Sequence, residues 1–310
     1  MDVTEHEILA RTTHPTSLSQ PADFTLGPGR SVPPDRAFET DVSPYCFDLP
    51  NRLLLCVSTP DIAGSTFFYQ AQRRQARSVL RVPIDELPDA GASPALIFSI
   101  GRCGSTLLFR ALEAAGVAIV SEPDYFTQAA LAGIHDRFLQ VAIGRATRLL
   151  PYAAIKLRLE CNAAPLLIAG AFRAPRVVFV LRDAVDWASS HHRQSRGTIG
   201  AAQWTTVLKG SLFALAQLAQ VYDVRVVYYE DFRTLDPGPI AALLAFCGFA
   251  DAVDAATLRT VAERNSHEGS DEPEVPAGVV DTAAFRAAFA REWAAARPAD
   301  LIARLRLRGV

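Results

Sequence analysis

Ile97-Phe-Ser-Ile-Gly-Arg-Cys-Gly-Ser-Thr-Leu-Leu108 is the stretch on which the reading of this 310-residue chain turns. It completes an uncharged apolar run, Ala95 to Ile100, which has the length of a buried strand. Gly101 ends the run, and from Ser105 to Ala115 the pattern becomes helical. In a strand, tight loop and helix start of this kind, successive backbone N–H groups converge on one point. The helix dipole favours an anion there. Arg102 adds a fixed cation, and Ser105 and Thr106 add hydroxyl donors. No lysine precedes the Ser-Thr pair, so the ATPase loop G-x-x-x-x-G-K-[ST] is absent. The same residues also suit an ordinary turn in which serine caps the helix.

Outward from the loop, short apolar runs alternate with helical stretches. Val117 to Val120, Ala153 to Leu157, Val177 to Leu181 and Val224 to Tyr228 read as further strands. Helical material covers Tyr125 to Leu150, an alanine-rich stretch before Val177, and Trp204 to Tyr222. Continuously apolar strands between helices predict an α/β fold, three-layered α/β/α with a central, mostly parallel sheet. Residues 1–40, rich in Pro, Ser, Thr and Asp, read as a loosely ordered arm. Residues 41–92 read as an extension packing on the core. It holds a strand from Leu53 to Val57 and a helix from Phe67 to Val82, with QAQRRQAR toward solvent. Asp89 to Pro94 marks the boundary with an α/β domain over 93–310.

The formal net charge of -2 and pI near 6.3 advertise neither a nucleic-acid nor an anionic-membrane partner. No apolar run reaches the roughly 18 residues of a membrane span. The polar, acidic start is unlike a secretory signal, so a cytoplasmic location is the expectation. Five scattered cysteines without a C-x-x-C pair suit a reducing compartment better than a disulfide framework or zinc site. Heavy use of Ala and Arg suggests a GC-rich bacterial genome. Only two lysines occur, Lys156 and Lys209.

A second element follows the strand Val177 to Leu181, in Arg182-Asp-Ala-Val-Asp-Trp-Ala-Ser-Ser190. An arginine at a strand's carboxyl end and a serine two helical turns on can converge on one phosphate, although a capped helix beside a surface arginine has the same spacing. Taken together, the two elements resemble those of sulfotransferases that use 3′-phosphoadenosine-5′-phosphosulfate (PAPS). Arg102-Cys-Gly-Ser-Thr106 is similar to the phosphosulfate loop P-[KR]-S-G-[ST]-[ST], with Gly101 in place of proline and Cys103 in place of serine. Arg182 to Ser190 is similar to R-[DN]-P-x-[DE]-x-x-x-S, with Ala184 in place of proline. Val226-Val-Tyr-Tyr-Glu-Asp-Phe232 and Leu243 to Phe249 resemble scaffold segments of the same family, so the likeness spans about 95–266.

The resemblance implies a P-loop sulfotransferase-like fold, PAPS as donor with 3′-phosphoadenosine-5′-phosphate (PAP) as product, and no metal. It implies nucleotide contacts from Arg102, Cys103, Gly104, Ser105 and Thr106, with Arg182 and Ser190 on the 3′-phosphate. A late loop over the nucleotide would add Arg264 and Ser266. Sulfuryl transfer needs an acceptor proton removed and the moving charge held, by positioning and electrostatics. Glu122, in Val120-Ser-Glu-Pro-Asp-Tyr-Phe126, is the expected base, placed at an apolar strand end. Lys156 closes its strand, where a compact ammonium can hold one oxygen, and Arg102 completes the catalytic set. Some sulfotransferases place a histidine in K-x-H. Here that position is Arg158, leaving His191 or His192 as substitutes, at most one of which faces the cleft.

A kinase-type phosphotransferase and a non-catalytic nucleotide-binding protein on the same fold remain alternatives. The acceptor, a small molecule or peptide, has no readable motif. Residues 1–90 and the helical stretch from Phe126 to Leu150 are expected to bind it, with Phe67, Phe68 and Tyr69 as wall or core. The oligomeric state has no signature.

Overall fold

The expected loosely ordered arm is instead part of a sheet. The computed structural model describes residues 2–12, 17–62, 64–89, 91, 93–134, 136–249, 255–262 and 282–310. Within it β1 (Val3–Arg11), β2 (Phe24–Val32), β3 (Val42–Asp48), β4 (Leu53–Ser58) and β5 (Ser78–Pro83) form a five-stranded sheet in the order β2-β1-β5-β4-β3. Each pairing is antiparallel. Polar residues buried along β1 hide its period. The Glu5 carboxylate accepts from Ser78 Oγ at 2.6 Å and from Arg30 Nη2 at 2.8 Å.

The helix expected from Phe67 to Val82 is also shorter. α1 (Phe68–Gln75) stops there, and the following residues enter β5 in the middle of the sheet. Gln70, Gln72 and Arg73, expected to face solvent, are buried in the described residues. Gln72 Nε2 donates to Ser43 Oγ and to the Pro44 carbonyl, both at 2.8 Å. Long-range partners thus turn a polar face inward.

The second sheet follows the sequence closely. Its strands are β6 (Ala95–Ser99), β7 (Ile119–Ser121), β8 (Ala154–Lys156), β9 (Val177–Leu181) and β10 (Val224–Tyr228). They are parallel throughout, ordered β10-β9-β6-β8-β7. Every residue of β6 to β9 is buried, as a sheet covered on both faces requires. The helices are α2 (Ser105–Ala114), α3 (Tyr125–Leu131), α4 (Arg137–Thr147), α5 (Pro165–Ala169), α6 (Ala184–Gln194), α7 (Ala201–Val221), α8 (Tyr229–Phe232), α9 (Pro237–Cys247), α10 (Ala255–Ala262), α11 (Thr282–Ala296) and α12 (Ala299–Arg304). Helix α2 packs with α9 and α10, whereas α6, α7 and α11 pack with one another. The fold is therefore α/β around a parallel sheet. No described helix is long and apolar enough to cross a membrane.

The two sheets meet through α3. Gln128 Nε2 donates to the Phe47 carbonyl at 2.7 Å and Gln128 Oε1 accepts from Phe47 N at 2.6 Å, closing part of the β3 edge. In the parallel sheet β6 is central. The chain leaves it toward β7 and later returns past it to β9, so connections diverge between β6 and β9. Such a switch point opens a crevice at the carboxyl ends of the strands, bordered here by the segments after β6 and after β9.

Candidate active site

The segment after β6 is strained on purpose. Gly101, Arg102 and Gly104 have φ of 64°, 43° and 79°, a left-handed run that only glycine adopts without cost. Trp187 on α6 holds it from below, its Nε1 donating to the carbonyls of Ile100 at 2.8 Å and Gly101 at 3.0 Å. Gly104 is required sterically as well, since a Cβ there would lie 2.2 Å from the Tyr229 ring. The loop then enters α2 at Ser105, so amide groups and a helix start face the crevice.

A cavity of about 480 Å³ fills this crevice. Arg102, Gly104, Ser105, Thr106, Glu122, Lys156, Arg182 and Ser190 all line it. Residues from four strand ends and from α6 thus reach one space. Cys103 does not: its side chain is fully buried beneath the loop, where burial raises the thiol pKa. Arg264 and Ser266 lie outside the described residues.

Two ends of the cavity differ in chemistry. At the β9 end, Arg102 Nε donates to Ser190 Oγ at 3.0 Å, and Arg182 Nη1 donates to the Arg102 carbonyl at 3.2 Å. The Arg182 guanidinium lies 4.8 Å from the Tyr229 ring centre, and its buried Nε has no partner among the described residues. An unpartnered guanidinium N–H beside a loop of amides suits an anion. Tyr229, read from sequence as scaffold, is the residue missed at this end. No spacing signals it, because its position depends on Gly104.

At the β7–β8 end, Lys156 Nζ is 2.5 Å from Glu122 Oε1 and also donates to Ser121 Oγ at 3.2 Å. Glu122 has φ of 63°, a conformation costing about 1–3 kcal/mol in a non-glycine residue. Its N–H donates to the Lys156 carbonyl at 2.7 Å, which fixes the pair from the backbone. Glu122 Oε1 is the oxygen engaged by the ammonium.

Phe67 and Tyr69, from the antiparallel unit, line the cavity beside Arg158 and Glu160. Arg158 lies over the Tyr69 ring at 4.7 Å. Its Nη1 donates to Asp124 Oδ1 at 2.8 Å and Nη2 to Glu160 Oε1 at 3.2 Å. Burial works against its charge, but these carboxylates outweigh it and push the pKa upward. Asp124 is fully buried, and its other oxygen accepts from Ser19 N at 2.6 Å and lies 3.8 Å from Arg73 Nη2. Arg73 in turn sits 3.6 Å from buried Asp23 and donates to Tyr45 Oη at 2.9 Å. An ion network therefore runs from the first sheet into the cavity wall.

Of the two histidines, His191 lines the cavity, while His192 stacks on Phe285 with centroids 3.8 Å apart. His191 is enclosed by Trp187 and Trp204 at 4.8 and 4.3 Å. Burial, helped by the Arg102 cation, pulls its pKa down to about 4. It is neutral at physiological pH.

No protein-family model matches the chain, and no curated protein matches it. Among solved structures, it is similar to the mouse sulfotransferase SULT7A1 complexed with PAP, at 15% identity and a TM-score of 0.40, over 61% of this chain and 70% of that one. It is also similar to a sulfotransferase from Alicyclobacillus acidocaldarius, at 16% identity and a TM-score of 0.39, over 56% of this chain and 98% of that one.

Proposed function

We propose that the chain is a sulfotransferase that moves a sulfuryl group from PAPS to a hydroxyl or amine of a small-molecule or peptide acceptor. The observation that carries this reading is one cavity shared by two motifs about 80 residues apart, with a Glu–Lys pair on its far side. PAPS would supply the sulfuryl group. Fit to its anionic groups rests on the backbone of Gly104, Ser105 and Thr106, the Ser105 and Thr106 hydroxyls, and the Nε of Arg182, which has no partner among the described residues.

The chain's own residues then have distinct tasks. Ser105, Thr106 and the α2 N-terminus hold charge at the loop. Lys156 neutralises charge that develops on the moving group and its leaving oxygen. Glu122 takes the acceptor proton on the oxygen not engaged by Lys156, and the strained backbone holds that oxygen in place. Phe67, Tyr69 and the Arg158 wall exclude water and set the acceptor's approach.

Incubation of the purified protein with PAPS and a panel of hydroxyl and amine acceptors, with PAP release followed by mass spectrometry, tests the reaction. Glu122→Gln is expected to lower turnover by about 10²–10⁴-fold while leaving nucleotide affinity nearly unchanged. Full activity in that variant moves the base elsewhere. Phosphoryl transfer from Mg-ATP in the same assay, without PAP release from PAPS, assigns the cavity to a kinase-type enzyme instead.

A further inference from the structure

Arg102 is placed by its motif as a loop cation, and its side chain takes an unexpected direction. The reacting end of the cavity is at Glu122 and Lys156, which follow β7 and close β8. In the sheet these strands lie on one side of β6, and β9 lies on the other. The loop after β6 stands between them, free in principle to aim its cation either way. It aims away from the reacting pair: Arg102 Nε donates to Ser190 Oγ on α6 at 3.0 Å. Arg182 closes the same cluster by donating to the Arg102 carbonyl at 3.2 Å.

The backbone explains the direction. Gly101 at φ 64° and Arg102 at φ 43° turn the chain through the left-handed region. Trp187 pins that turn through the Ile100 and Gly101 carbonyls. Proline, usual in the loops this one resembles, is confined to φ near −65° and could not make the turn at Gly101. The departure from the motif and the redirected arginine are thus one feature.

We propose that Arg102 is a ligand of the nucleotide's 3′-phosphate, sharing it with Arg182 and Ser190, and does not serve the 5′ end that carries the sulfuryl group. The proposal rests on the sulfotransferase reading. If the sulfuryl group lies at Glu122 and Lys156, the phosphate remote from the reaction is the one left for the β9 end. The 5′ end is then held by the loop amides, Ser105, Thr106 and Lys156. Two guanidiniums and a hydroxyl around one phosphate form a strong charge-assisted set.

Calorimetric titration with three probes, 3′,5′-adenosine bisphosphate, 3′-AMP and 5′-AMP, tests this on the intact protein. Arg102→Ala is expected to weaken the bisphosphate and 3′-AMP by about 10–100-fold, with 5′-AMP within twofold of wild type. Arg102→Gln guards against a folding defect and is expected to give the same pattern, with an unchanged melting temperature. Weakening of the bisphosphate and 5′-AMP with 3′-AMP unchanged assigns Arg102 to the 5′ end and overturns the proposal, as does equal weakening of all three probes or an unchanged affinity for all three. Failure of the wild type to bind the bisphosphate is a separate result. It removes the sulfotransferase reading itself, and the assignment of Arg102 with it.

Discussion

The two ends of the cavity are built on opposite plans. The β9 end, proposed above to hold the nucleotide, is made from the segments after β6 and β9 together with Ser190 of α6. Its cations face ligand space, and Arg182 keeps a buried N–H without a partner among the described residues. The end lined by Phe67, Tyr69 and Arg158 is tied to the antiparallel unit by a buried network in which Asp23, Arg73, Asp124 and Arg158 are matched to one another. One end is prepared to receive charge from a ligand, and the other has consumed its charge in holding two sheets together. Binding energy is available at the first, and rigidity of the Phe67, Tyr69 and Arg158 wall comes from the second.

The largest expected effect breaks the second plan. Asp124→Ala leaves Arg158 and Arg73 without their shared carboxylate, and loss of a partner from a buried ion pair costs about 3–5 kcal/mol. Thermal melting is expected to fall accordingly, with affinity for 3′,5′-adenosine bisphosphate nearly unchanged in the folded fraction. An unchanged melting temperature shows that the network carries no weight. A collapse of nucleotide affinity shows that the two ends are not separable.

A smaller effect sharpens the first plan. His191 has a folded pKa of about 4 against an ordinary 6.5, because it is buried beside Arg102. Between those values the unfolded chain binds a proton that the folded chain does not, so stability is present above pH 6.5 and is lost as pH falls toward 4. The loss is on the order of 3 kcal/mol, and His191→Phe, which keeps a ring between Trp187 and Trp204, is expected to remove it. Urea denaturation of both proteins from pH 7 to pH 4 reads the difference. Identical pH profiles place the titration on other groups.

What the sequence disclosed follows the same division. The apolar run Val177 to Leu181 coincides with β9, because a doubly covered strand must be continuously apolar, whereas β10, also expected from the sequence, lies at the sheet edge and carries exposed Arg225. Arg102, Glu122, Lys156, Arg182 and Ser190 could be picked out because each stands at a strand end or at motif spacing from one. β1, β2 and β5 were hidden because their polar residues are satisfied by partners far away in sequence, such as Glu5 by Ser78. Asp124 gave no local sign either, since one of its partners, Ser19, is 105 residues distant. Gln70, Gln72 and Arg73 carry the composition of a solvent face and are buried nonetheless. Local pattern reports apolar burial well, and it is silent on polar burial that depends on tertiary partners.

Calorimetric titration of 3′,5′-adenosine bisphosphate into the wild type and Arg182→Ala, alongside Mg-ATP, bears most directly on the central claim. Micromolar binding of the bisphosphate by the wild type, weakened by about 2–4 kcal/mol in Arg182→Ala, is the predicted result. A preference for Mg-ATP, or bisphosphate binding that Arg182→Ala leaves intact, contradicts it.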